Sequence, residues 1–214
     1  MSKELNGRIA LVTGGNRNIG RETALALAAQ GADVVITYRA QQDTAAQTVK
    51  DLQALGVKAA ALQVDLTGTA QLPAFVERFQ AQLTAWGRDN FDILVNNAGA
   101  LRIATFDKVT EDDLDTTFAT NYKSVFFLTQ RLQGLLADNG RIVNLGSGTA
   151  RIAFGPLVSY GPLKAALQSL TLYLASFLGK RGITVNAVAP GGLDDDFNAP
   201  LFAMMPAKDY IKAN

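Results

Sequence analysis

Along the chain, short and nearly unbroken apolar runs alternate with longer stretches in which apolar positions recur at three- and four-residue spacing. The runs lie at 8–13, 33–38, 58–64, 91–96, 140–146 and 183–189, and their brevity and richness in Val, Ile and Leu predict strands. The stretches near 19–30, 41–55, 69–86, 111–137 and 158–180 predict helices. A strand that is apolar at successive positions needs cover on both faces of its sheet. Strict alternation of such strands with helices implies parallel neighbours joined by right-handed crossovers. The expected fold is α/β, one doubly wound parallel sheet in strand order 3-2-1-4-5-6 with its ligand at the carboxyl ends of the strands. No repeat, low-complexity segment or linker interrupts the pattern, so residues 1–214 read as one domain.

Two of those strand ends carry candidate chemistry. The first runs into Gly14-Gly15-Asn16-Arg17-Asn18-Ile19-Gly20 and then a helix. A tight turn from strand to helix gathers unpaired N–H groups at the positive end of the helix dipole, which suits a phosphate. The fifth ends at Ser147, thirteen residues before Tyr160, and Lys164 follows Tyr160 at the four-residue spacing that shares a helix face. A phenol ordinarily titrates near about 10. A neighbouring ammonium favours the tyrosinate and is expected to lower that value, fitting Tyr160 for proton transfer at a substrate oxygen. Taken singly, the glycine turn also reads as a plain connection, and the Tyr–Lys pair as a solvated helix face.

Composition narrows the chemistry. The chain has no cysteine and no histidine, which removes disulfides, thiolate ligands, the commonest metal ligand and the usual base near neutrality. Proton transfer then falls to a tuned Tyr, Lys or carboxylate. No metal site is expected: the run Asp194-Asp195-Asp196 reads as a solvated loop or a cap for a following helix, since adjacent side chains diverge. A net charge of +1 makes no electrostatic case for nucleic acid. No apolar run reaches the length of a membrane span and no signal-peptide pattern opens the chain, so the cytoplasm is expected.

Several motifs in order, from about Leu5 to Pro190, resemble the short-chain dehydrogenase/reductase family. Thr13-Gly14 through Ile19-Gly20 is similar to its cofactor turn, Val64-Asp65-Leu66 to its adenine contact, and Asn96-Asn97-Ala98-Gly99 to its Asn-Asn-Ala-Gly signature. Asn121, Ser147, Tyr160 and Lys164 match its four catalytic positions, and Pro190-Gly191 the pair beside the nicotinamide. The resemblance implies a Rossmann-type fold and hydride transfer between a nicotinamide and a carbonyl or secondary alcohol. Tyr160 would be the acid in reduction, Ser147 would hold the substrate oxygen, Lys164 would tune Tyr160 and bond the nicotinamide ribose, and Asn121 would help hold a relay water. It further implies cofactor contacts from Gly14, Asn16, Arg17, Asn18, Ile19, Gly20, Tyr38, Arg39, Asp65, Leu66, Asn97, Ala98, Gly99, Pro190, Gly191 and Leu193 besides Tyr160 and Lys164.

The chain departs from the pattern in places. Asn18 stands where a glycine is usual, tolerable because Asn accepts a left-handed backbone. Leu193 and the acidic run replace a threonine usual after Pro190-Gly191. NAD-preferring relatives carry an acid at the end of the second strand, whereas Tyr38 and Arg39 stand here and Arg17 lies in the glycine turn. Two guanidinium groups and no carboxylate suit a 2′-phosphate, so NADP(H) is expected rather than NAD(H), although surface arginines read the same way. The pocket is expected to involve Leu101 to Ala104, Thr149 to Leu157 and the loop from Gly192, with Phe154, Phe197, Leu201, Phe202, Met204 and Met205 making it apolar. A 3-oxoacyl thioester, a sugar, a steroid or an aryl ketone all remain open as substrate, as does a sensor that binds the cofactor without turnover. Surplus apolar residues on helices 111–137 and 158–180 suggest a homodimer or homotetramer. Relatives continue through a further helix and a seventh strand, so a truncated chain is expected, with 183–188 as a bare sheet edge and 194–214 as a partial lid.

Overall fold

The computed structural model describes residues 3–204. Six parallel strands, β1 (Ile9–Val12), β2 (Asp33–Tyr38), β3 (Ala59–Gln63), β4 (Phe91–Asn96), β5 (Leu136–Leu145) and β6 (Thr184–Val188), form one sheet in the order β3-β2-β1-β4-β5-β6. This is the expected doubly wound, Rossmann-type topology. The helices are α1 (Asn18–Ala29), α2 (Gln42–Ala54), α3 (Leu72–Ala85), α4 (Glu111–Phe118), α5 (Ser124–Leu132), α6 (Gly161–Leu178) and α7 (Ala199–Met204).

The successive apolar positions of each strand feed two cores. On one face Ile9 and Leu11 of β1, Leu94 of β4 and Ile142 of β5 pack with Phe75 and Phe79 of α3 and Leu128 and Leu132 of α5. On the other face Ala10 and Val12 of β1, Ile93 and Val95 of β4 and Leu145 of β5 pack with Ala24 and Ala28 of α1 and Leu52 of α2. β1 and β4 are buried at every position and so have cover over both faces, whereas β6 at the sheet's border buries only Val185.

Two boundaries differ from expectation. The helix expected over 111–137 is broken at Ala119–Lys123 by one wider, π-type turn and stops at Leu132. The chain then turns through 133–135 and enters β5 at Leu136, four residues before the expected strand. Leu135 and Leu136 continue the helical apolar spacing and so extend it falsely; Leu136 instead pairs with Phe91, and the register then shifts to Ile93–Arg141. Asn139 absorbs that shift with a left-handed backbone, φ 59°. At the far side, β6 pairs with β5 and borders the sheet among the described residues, with Val188 half exposed. Met205 and the remainder of the expected lid to Asn214 lie outside the described residues.

Candidate active site

The carboxyl ends of the strands open into one cavity of about 780 Å³. Because the strand order runs β3-β2-β1-β4-β5-β6, Asp65 and Arg39 lie beyond β3 and β2, the glycine turn beyond β1, Asn97 beyond β4, Ser147 beyond β5 and Pro190 beyond β6. All the residues expected to hold a cofactor line this cavity, from Gly14, Asn16, Arg17, Asn18, Ile19 and Gly20, through Tyr38, Arg39, Asp65, Leu66, Asn97, Ala98 and Gly99, to Tyr160, Lys164, Pro190, Gly191 and Leu193. Ser147 lines it too; Asn121 does not, its place being taken by Thr120.

The glycine turn is shaped to receive a ligand's backbone. Gly14 has φ 62°, and a methyl group on it would stand 3.2 Å from Ala98 Cα. Asn18 adopts the left-handed region itself, φ 49°, so the turn survives the loss of its usual glycine. No side chain caps α1, and the first-turn N–H groups of a helix have no intrahelical acceptor. Together with a cavity that continues to Tyr160, this cradle fits a dinucleotide pyrophosphate at the helix N-terminus.

Thr13 and Thr37, to which the motifs gave no role, brace the cradle together with Asn97. Thr13 Oγ1 accepts hydrogen bonds from the Asn97 and Ala98 backbone at 2.9 and 3.0 Å and donates to Val95 O at 3.3 Å. Asn97 Nδ2 donates to Thr13 O and Gly14 O at 2.9 and 3.1 Å, and Thr37 Oγ1 accepts from Gly14 N at 3.1 Å. The turn, β2 and the loop after β4 thus form one hydrogen-bonded unit. Asp65 Oδ1 accepts from Thr67 N at 2.8 Å. Partial burial pushes the Asp65 carboxyl up, but the Thr67 hydrogen bonds and the nearby Arg39 charge outweigh it and hold the group below the usual carboxylate range. Arg17 and Arg39 are exposed, and neither takes part in an ion pair among the described residues.

At the other end, Tyr160 and Lys164 begin α6 and are both buried. Lys164 Nζ donates to Leu145 O at 2.7 Å and sits 5.4 Å from the centre of the Tyr160 ring. Burial pushes the Lys164 ammonium down to about 8. Burial also pushes the Tyr160 phenol up to about 12, with a Ser147 side-chain hydrogen bond pulling the other way. The expectation that Lys164 would bring the phenol down is therefore corrected: desolvation of the phenolate wins, because the ring sits in an apolar cluster with Leu157 and Leu201. Ser147 Oγ accepts from Thr149 N at 3.2 Å and Thr149 Oγ1 at 2.8 Å, which leaves its own proton available to Tyr160 or a substrate oxygen. Thr149 was expected only as pocket lining.

Asn121 is fully buried in the π-type turn. Its Nδ2 donates to Ala100 O at 2.8 Å and Thr117 O at 2.9 Å, and its Oδ1 accepts from Ala100 N at 3.3 Å. Both donors and one acceptor thus clamp the loop after β4 to the turn. Beyond Tyr160, the apolar side chains of Leu101, Phe154, Leu157, Phe197 and Leu201 line the cavity, with the Phe197 and Tyr160 ring centres 6.3 Å apart. Ile103 packs behind them, and of the expected stretch 101–104 only Leu101 and Arg102 reach the cavity. Phe202 lines the cavity as expected. Of the acidic run, Asp195 caps the turn into α7, its Oδ1 accepting from Asn198 N at 2.9 Å. Among the described residues no group of three or more acidic side chains is placed to hold a metal ion, and no helix is long and apolar enough to cross a membrane.

Known proteins share this sequence pattern and fold. The family model for short chain dehydrogenase matches residues 8–206. A hydroxynaphthalene reductase-like protein of Metarhizium brunneum is 37% identical over 195 residues, covering 91% of this chain and 71% of its own. A short chain dehydrogenase from Burkholderia cenocepacia, solved in complex with NADP, is 42% identical with a TM-score of 0.84, covering 91% of this chain and 78% of its own. The angucycline C-6 ketoreductase LanV, solved with bound NADP, is 36% identical with a TM-score of 0.91, covering 98% of this chain and 81% of its own. With the fold, the cradle and Ser147 beside the buried Tyr160 and Lys164 in place, the chain belongs to the short-chain dehydrogenase family.

Proposed function

We propose that the protein is an NADP(H)-dependent reductase of hydrophobic cyclic ketones, with Tyr160 as the proton donor. The observation that carries this reading is the juxtaposition of a buried, proton-loaded phenol with the dinucleotide cradle inside one cavity. Bound in the cradle, the nicotinamide supplies the hydride. Tyr160 donates its proton to the carbonyl oxygen as that oxygen gains alkoxide character, which a phenol held near 12 still favours thermodynamically. Ser147 donates a hydrogen bond to the same oxygen, oriented by its two bonds from Thr149. Lys164 is anchored by Leu145 O beside the phenol, where it holds the ribose and favours the tyrosinate left after transfer. Asn121 fixes the loop after β4 through its amide.

Arg17 and Arg39 form the 2′-phosphate clamp, in keeping with two solved relatives that hold NADP. The aromatic and aliphatic wall around Tyr160, and relatives named for hydroxynaphthalene and angucycline reduction, favour a fused-ring ketone over the 3-oxoacyl thioester. Loss of NADPH absorbance with 1-tetralone, 2-tetralone and an acetoacetyl thioester tests the reading. Turnover of a tetralone supports it, thioester turnover alone corrects the substrate class, and tight NADPH binding without any turnover favours the sensor.

A homodimer is the proposed assembly. Leu172, Tyr173 and Phe177 of α6 are 71%, 74% and 69% exposed, and Phe118 and Phe126 flank the π-type turn on the neighbouring helices. Such a patch of large apolar side chains marks a contact surface.

A further inference from the structure

Four buried polar side chains form a line between the sheet and the helices α5 and α6. Asn96 of β4 and Asn144 of β5 are direct partners in the strand register, and Asn96 Nδ2 donates to Asn144 Oδ1 at 2.8 Å. The same Asn96 amide donates to Thr129 Oγ1 of α5 at 3.3 Å. Asn144 Nδ2 donates to Thr171 Oγ1 of α6 at 3.0 Å, and Thr171 passes its proton-side bond to Leu167 O at 2.8 Å. All four residues are at most 4% exposed, and Asn96 Oδ1 has no partner. An apolar layer would hold these helices more cheaply, so a polar line through the core calls for a role beyond packing.

Its position supplies one. Thr171 lies two turns beyond Lys164 on the same face of α6. Asn144 immediately precedes Leu145, whose carbonyl receives the Lys164 ammonium at 2.7 Å. Two adjacent residues of β5 therefore tie α6 down at two points on one stripe, each through a directional hydrogen bond. Hydrophobic contacts such as those of Leu167 and Leu170 with Val125 of α5 hold the helix against its neighbour but tolerate sliding along it. We infer that the Asn144–Thr171 hydrogen bond is a positioning device that sets the register of α6 on β5, and so the seat of Lys164 beside Tyr160, a role resting on the assignment of those two residues proposed above. Asn144 and Thr171 touch no reacting atom; they act through Lys164.

Thr171→Val and Thr171→Ser separate positioning from packing. Val keeps the shape and loses the hydroxyl, whereas Ser keeps the hydroxyl and loses a methyl group. With NADPH and the tetralone that the wild type reduces faster, Thr171→Val should lose about tenfold in kcat with KM for the ketone nearly unchanged, and Thr171→Ser should stay within about twofold of wild type. If Val keeps more than half of kcat, or Ser loses as much as Val, the inference is overturned. Should Thr171→Val not fold, Asn144→Ser cuts the same link from the strand side and must show the same split. A second readout needs no turnover: the stability difference between each protein and its Lys164→Met partner, followed between pH 8 and 10.5, reports where the buried ammonium titrates. In the Thr171→Val background that pH-dependent difference should shrink by half or more; an unchanged difference also overturns the inference. Absence of turnover in the wild type sinks the ketone reading alone, leaving this second readout to decide the positioning role.

Discussion

At the residue scale, the account depends on two buried ionisable groups that burial moves toward their neutral forms. Tyr160 stays protonated far above neutrality, which makes it an acid in waiting rather than a standing tyrosinate. Tyr160→Phe should leave NADPH affinity within a few fold and lower turnover by well over tenfold, at least about 1.4 kcal/mol of barrier. A fluorescence titration beside a turnover assay checks both halves. Lys164 gives a pH signature. Its folded value, about 8, lies below the ordinary 10.5, so between those limits the unfolded chain binds more protons than the folded one. Wild-type stability should therefore gain from Lys164 as pH rises from 8 to 10.5, and lose that contribution as pH falls through 8. Denaturant unfolding of wild type and Lys164→Met across that window should show the gain in wild type alone. For the arginines, Arg17→Ala with Arg39→Ala should weaken NADPH by about tenfold per guanidinium while hardly changing NADH, since only the former carries the 2′-phosphate. Equal losses for both cofactors would remove the clamp.

At the scale of elements, the turn around Asn121 shows how a helix serves a site by being interrupted. The wider turn at Ala119–Lys123 places the Asn121 amide against Ala100, so α4 and α5 brace the loop that carries Asn97 to Gly99. Asn121→Ala leaves the Ala100 and Thr117 backbone groups without their partner and should cost roughly 1–3 kcal/mol, seen as a lower denaturation midpoint. The break itself was not legible in the sequence, because apolar spacing continues across it from Phe118 to Phe127. What was legible was every strand, since each writes itself as a short, nearly unbroken apolar run, and the cavity's polar set, since those residues stand at strand ends. The braces were less visible. Thr13, Thr37, Thr149 and Thr171 act through single hydroxyls whose partners are set by tertiary contact. No spacing rule distinguishes such a threonine from an ordinary strand or helix residue. The direction of the Tyr160 shift was missed for a related reason: sequence spacing shows the ammonium nearby but not the apolar cluster that surrounds the ring.

At the scale of the whole molecule, one cavity crosses the sheet's carboxyl edge, with the arginines at the β2 side and the phenol beyond β5. In the proposed reading, that layout puts cofactor selection and proton delivery at opposite ends of the cofactor. The exposed Leu172, Tyr173 and Phe177 lie on α6, the helix that carries Lys164, so the proposed contact surface and the proposed catalytic lysine share an element. Light scattering at micromolar concentration should give twice the chain mass or a higher multiple, and Tyr173→Glu with Phe177→Glu should return the monomer. The central claim is that Tyr160 delivers the proton during ketone reduction in the NADP(H) site. Its most direct measurement is NADPH consumption with a tetralone by wild type and by Tyr160→Phe at equal cofactor saturation. The account predicts steady consumption by the wild type and loss of more than nine-tenths of it in the variant; comparable rates in the two would contradict it.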